Sequence, residues 1–118
     1  MDLTHFDQDG NAWMVDVSDK DITTRTAVAE GFIAINDAIY ERIGAGTIKK
    51  GDVLSVAQLA AIMGAKQTSN LIPLCHPLAL TKVEVHCTLV DGESPACTDA
   101  THNRAVKVRA TVKTTGKT

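Results

Sequence analysis

Two segments in the second half of the chain alternate apolar and polar residues without a break, and they set the fold class. In Leu80–Leu89, Val83, Val85, Cys87 and Leu89 fall on one side, with Lys82, Glu84, His86 and Thr88 on the other. In Arg104–Thr114, Val106, Val108, Ala110 and Val112 oppose Lys107, Arg109, Thr111 and Lys113. Each reads as a strand with one face toward a core, so antiparallel pairing beneath helices on one side is the economical arrangement.

Two more strands are predicted upstream. Trp13–Ser18 alternates over a short stretch, and in Thr23–Ile35 the small residues Ala27, Ala29 and Gly31 lead to Ile33 and Ile35 at period two, with Arg25 at the start. Asn36-Asp37 is placed to cap a short helix ended by Gly44-Ala45-Gly46. Asp52 caps the clearest helix, where Val53, Val56, Leu59, Ala60 and Met63 recur at spacings of three and four. The helix runs out between Gly64 and Thr68. Leu71-Ile72-Pro73-Leu74-Cys75-His76-Pro77 then forms a stiff apolar corner between two prolines. Residues 1–12 read as a polar lead-in, and Val90–Asn103, with its Asp91-Gly92 and Ser94-Pro95, as a loop. The expected class is α+β: a four-stranded antiparallel sheet with helices on one face, ending at the lip of a turn after Thr114. Two helices are little cover for four strands, so the chain reads as part of a longer protein or as one subunit of an assembly.

At 118 residues, one domain with a core of its own is expected. Four aromatic residues (Phe6, Trp13, Phe32 and Tyr40) are too few for the stacking platforms of a single-strand nucleic-acid binder. Charge is more informative by position than in total. Residues 1–41 hold nine acids and two bases, whereas residues 42–118 hold ten bases and five acids. That division suits either an anionic ligand or a basic face balanced by the acidic N-terminal segment. Cys75, Cys87 and Cys97 show no CxxC spacing, and no apolar run approaches the ~18 residues of a membrane span. The expected setting is a reducing cytoplasm, with neither membrane nor nucleic acid as partner.

The candidate chemistry gathers around the proline-flanked corner. Cys75 reads as a small buried hydrophobe. His76 reads either as a ring bonded to backbone in a turn or as an imidazole aimed for proton transfer. Lys50 precedes a helix N-terminus, where free N–H groups favour an anion; Lys66 stands at that helix's far end and Lys82 starts the next strand. Singly each lysine is an ordinary surface residue. Together they outline a basic pocket of polyphosphate size. The histidines His5, His76, His86 and His102 are scattered, so no metal or other cofactor is expected. Gly116-Lys117-Thr118 is no phosphate loop, since position 111 is Thr where that motif needs Gly.

These residues carry a resemblance. Met14-Val15-Asp16-Val17-Ser18 with Lys20, Thr24 and Arg25, then Lys50-Gly51-Asp52-Val53, Ala65-Lys66, Leu71 through Leu78, Lys82-Val83-Glu84-Val85 and Thr115-Gly116-Lys117-Thr118 resemble the MoaC family of molybdenum-cofactor biosynthesis. The resemblance spans about residues 13–118 and implies a ferredoxin-like fold, assembled as a hexamer of three dimers with active sites at dimer interfaces. It implies cyclic pyranopterin monophosphate synthesis, in which a cyclised dihydro-GTP is rearranged with loss of pyrophosphate. By position, Leu74, Cys75 and His76 match the substrate-contacting turn, Lys50 and Lys66 the pocket lysines, and Arg25 an arginine near the phosphates. His76, Lys50 and Lys66 are the expected catalytic groups. The family continues past this Gly-Lys-Thr into a helix and a segment with a catalytic aspartate and lysine. The 118-residue chain is therefore expected to lack that helical part and to be inactive alone. Two other classes stay open: a nucleotide-binding or assembly fragment without chemistry, and a metal-dependent hydrolase built on His76 and His86.

Overall fold

The computed structural model describes residues 9–46, 52–92 and 103–117. The alternating segments pair as expected. Strand β1 (Ile22–Ile35), helices α1 (Asp37–Ala45), α2 (Val53–Lys66) and the single turn α3 (Thr68–Leu71), then strands β2 (Leu80–Asp91) and β3 (Arg104–Lys117), follow in that order. The sheet order is β1-β3-β2, with β3 antiparallel to both neighbours. Two parallel strands split by a third, with helices in the crossover, make an α+β unit compatible with a ferredoxin-like fold.

Register confirms which residues share a face. Val83, Val85, Cys87 and Leu89 lie opposite Val112, Ala110, Val108 and Val106, and β1 sets Ala27, Ala29, Gly31 and Ile33 beside the same four β3 residues. Ile35, Val85, Cys87 and Val106 form the buried centre, with Tyr40, Ile43, Leu54, Ala57, Ala61 and Ile62 packed on it from α1 and α2. Burying this one apolar face is what fixes the register, because a one-residue slip would turn Val85 and Cys87 outward.

Caps set the helix boundaries. Asn36 Oδ1 accepts from the Ile39 N–H at 2.8 Å, and Gly46 closes α1 at φ 68°, a conformation that favours glycine. Asp52 accepts from the Leu54 N–H at 3.1 Å and the Ser55 hydroxyl at 2.7 Å.

Three expectations change. Trp13–Ser18 is not a strand: Ala12 makes one bridge and residues 13–17 have no regular structure, so the sheet has three strands among the described residues. The segment is held instead by the Ser18 N–H on Asp16 Oδ1 and by Lys117 Nζ on the Ser18 carbonyl, each at 2.9 Å. The face of α2 that meets the sheet carries Leu54, Ala57, Ala61 and Ile62, while Val56, Leu59 and Met63 are 58%, 59% and 60% exposed. This helix is apolar nearly all round, so periodicity alone could not select its inner side. β3 also runs on past Thr114 to Lys117, where Thr115 and Gly116 pair with Thr24 and Thr23. Expectations for Lys50, for residues 1–8 and for residues 93–102 of the predicted loop lie outside the described residues.

The charge division is used internally. Arg104 sits 4.1 Å over the Tyr40 ring and within 3.2 to 3.7 Å of Asp37, Glu41 and Asp91, binding α1 to the end of the sheet. Arg109 pairs with Glu30 across β3 and β1 at 2.9 Å. The basic C-terminal strand is thus partly balanced by the acidic first third of the chain.

Candidate active site

The corner that follows α2 is fastened at both ends. Ile72 N–H donates to the Thr68 carbonyl at 2.9 Å, and Cys75 N–H to the Ile72 carbonyl at 3.1 Å, closing a tight turn with Pro73 in its second position. Downstream, the Ala79 carbonyl accepts from the Thr114 hydroxyl at 2.9 Å and from the Thr115 N–H at 3.2 Å. A register shift between Leu80 and Lys82 inserts one extra residue as β2 leaves the corner. The segment bearing His76 is therefore held between a helical turn and the far end of β3.

Two cavities border this corner. The first, about 600 Å³, has Ile72, Pro73, Leu74 and Leu78 as apolar walls, with Cys75, the half-buried His76 and Ala12 completing it. The second, about 430 Å³, lies on the helix side of the sheet between Arg25 and Ala27 of β1, Thr68, Leu80, Val112 and Thr114. Leu78 lines both. An apolar chamber with one imidazole beside a chamber lined by an arginine and three threonines suits a ligand with a flat ring at one end and negative charge at the other.

The residues expected in the site divide accordingly. Leu74, Cys75 and His76 share the first cavity, and Arg25 stands in the second. The Cys75 thiol donates to the His76 carbonyl at 3.3 Å, so it is engaged with backbone and not with the ring. Lys66 is exposed at the end of α2 and lines neither cavity, although it is two residues from Thr68, which does. His86 bonds Glu84 at 2.9 Å on the open face of β2, apart from the His76 cavity, and Lys82 pairs with the same carboxylate at 3.0 Å. Among the described residues, no group of three or more His, Cys, Asp or Glu side chains could hold a metal ion.

The MoaC family model matches residues 14–118. This chain belongs to the MoaC family. Cyclic pyranopterin monophosphate synthases of Staphylococcus aureus strains bovine RF122 / ET3-1 and MRSA252 are each 49% identical to it over 117 residues, covering 99% of this chain and 67% of theirs. The synthase of strain JH9 is 48% identical over the same share.

In this MoaC chain one charged residue of the N-terminal segment was not singled out from the sequence. Asp16 sits in the N-terminal segment, and its carboxyl is held below the ordinary carboxylate range, first by the Ser18 N–H and hydroxyl and also by the nearby His76 ring. The legible signal was Asp16-x-Ser18, a pattern in which an Asp side chain bonds the backbone two residues on. The electrostatic influence of a ring 60 positions later was not legible.

Proposed function

We propose that this chain is a cyclic pyranopterin monophosphate synthase, a lyase that converts (8S)-3′,8-cyclo-7,8-dihydroguanosine 5′-triphosphate to cyclic pyranopterin monophosphate and pyrophosphate. The observation that carries this reading is the pair of cavities that share Leu78 as a lining residue, one lined by His76 and the other by Arg25. The names of the similar staphylococcal proteins agree with it.

The ring system of the substrate rests against Ile72, Pro73, Leu74 and Leu78, with Cys75 as wall. His76 moves protons as the guanine-derived ring opens and the pterin closes. Arg25, with the Thr68 and Thr114 hydroxyls, takes the phosphates, and its fixed charge offsets the negative charge that develops as pyrophosphate leaves. Lys50 and Lys66 complete the anion seat, a lysine stem being long enough to bring the ammonium of Lys66 past Thr68.

Assembly belongs to the same reading. The radius of gyration is 18.8 Å, against roughly 13.5 Å for a compact domain of this length. The row Val56, Leu59 and Met63 on α2 and Ile33 on β1, 63% exposed, are large apolar surfaces open to water. Self-association into a hexamer of three dimers covers such surface. The setting proposed is the cytoplasm; no helix among the described residues is long and apolar enough to cross a membrane.

A second reading is favoured by one observation. Among the described residues, the lining of the two cavities holds one imidazole and no carboxylate. The 118-residue polypeptide by itself then binds the cyclised triphosphate and releases no pyrophosphate. Calorimetric titration with that triphosphate, followed by a pyrophosphate assay, separates the readings. Binding with turnover supports the synthase, binding without turnover supports the fragment, and absence of binding contradicts both.

A further inference from the structure

The lysine of Gly116-Lys117-Thr118, a motif that is no phosphate loop, has a different task in the fold. Lys117 Nζ donates to the Ser18 carbonyl at 2.9 Å, joining residues 99 positions apart. Just before it on β3, Thr114 and Thr115 hold the corner by its Ala79 carbonyl. The end of β3 thus grips two remote segments, the corner and the N-terminal segment. Around Ser18 the latter is closed into a turn: the Ser18 N–H donates to Asp16 Oδ1 at 2.9 Å, and the Lys20 N–H to the Val17 carbonyl at 3.0 Å. The Ala12 bridge apart, residues 11–17 have no regular structure, and Trp13 and Met14 are each 44% exposed. What this segment brings to the site is Ala12. Every other described residue lining the first cavity lies in the corner, between Ile72 and Leu78.

We propose that Lys117 is a positioning residue: by holding the Ser18 carbonyl it keeps the N-terminal segment beside the corner, as a strap along the His76 cavity that retains the ring end of a bound ligand. The reading deepens the proposed function and rests on it for the identity of that ligand. One exposed bond from an ammonium to a carbonyl opens and re-forms while the sheet stays folded. The strap can therefore admit a ligand and then close along it. Lys117 itself lines neither cavity, so its ammonium acts through the strap and not on the phosphates.

Trp13, the single tryptophan, adjoins Ala12 and reports the strap directly. The first measurement is acrylamide quenching of its fluorescence in the ligand-free chain. Lys117→Met removes the donor and keeps the stem; quenching is expected to rise while the thermal melt stays where it was, since an exposed bond adds little to global stability. Lys117→Arg keeps a donor at similar reach and should restore wild-type quenching. Equal quenching in wild type and Lys117→Met overturns the proposal. So does a rise that Lys117→Arg fails to reverse, or one accompanied by a lowered melt, the pattern of a general stabiliser. The second measurement is stopped-flow release of the cyclised triphosphate. Lys117→Met should speed dissociation by roughly three- to tenfold, the worth of one such bond, with the salt dependence of binding unchanged. A weakened salt dependence would make Lys117 a phosphate contact and overturn the strap. Absence of binding in the wild type contradicts the synthase reading and with it the strap's use, while the quenching comparison still decides the tether.

Discussion

Thr114 gives its hydroxyl to the Ala79 carbonyl at 2.9 Å, and this contact joins the third strand to the corner that carries His76. Replacing Thr114 with Val keeps the shape and removes the donor. The expected cost is about 0.5–1 kcal/mol in denaturant unfolding, because the bond is neutral and solvent-exposed. A loss above about 2 kcal/mol would mean that the threonine does more than pin the corner.

The helix caps give a prediction in pH. The Ser55 hydroxyl and the Ser55 and Leu54 N–H groups stabilise ionised Asp52 and lower its carboxyl from 3.8, against a smaller opposing effect of burial. A carboxyl lowered on folding contributes stability fully above its unfolded value, and the contribution is lost as pH falls through the folded value. The advantage of wild type over Asp52→Ala is therefore complete above pH 3.8 and fades below it. Asn36→Ala, which removes an uncharged cap, costs about 1 kcal/mol with no such acid dependence. Thermal melts of both variants from neutral to acid pH check the contrast.

Cysteine reactivity separates core from corner. Cys87 is buried in the sheet face, and burial raises its thiol above 9.0. Thiolate is the reacting form, so Cys87 should resist alkylation near neutral pH until the chain unfolds, while half-buried Cys75 is modified first. Peptide mapping against time, with and without urea, gives the order; equal rates in the folded chain contradict the assigned core.

The apolar row on α2 predicts association. Leu59→Glu and Met63→Glu place charge on side chains already 59% and 60% exposed, so the fold should survive. Sedimentation is expected to show wild type as oligomers and the double variant shifted to smaller species at the same concentration. An unchanged distribution would remove this face from the interface.

What the sequence revealed follows from which patterns have one solution. Strict alternation around Val85 and Val108 admits one buried face, so these two strands and their antiparallel pairing were readable. Asn36 and Asp52 announced their helices because a capping side chain acts locally. Helix α2 could not be oriented from its residues, since Val56 and Ala57 are both apolar and the neighbouring sheet decides between them. Trp13–Ser18 alternates like a strand but is held by the Ser18 turn and the Lys117 ammonium, bonds invisible to periodicity. Within the site, Leu74, Cys75 and His76 came as one contiguous run, and the structure places all three on one cavity. The second cavity joins Arg25 to Thr114, a meeting made only by the β1–β3 register.

The account stands on one ligand bridging the His76 and Arg25 cavities, and NMR titration of the chain with the cyclised dihydro-GTP triphosphate tests this most directly. The His76 ring and Arg25 Nε resonances should move together along one saturation curve. His76→Gln and Arg25→Gln should each weaken binding by roughly tenfold, with the arginine variant less sensitive to added salt. Resonances that saturate at different concentrations, or Arg25 unmoved while His76 responds, would contradict a shared seat.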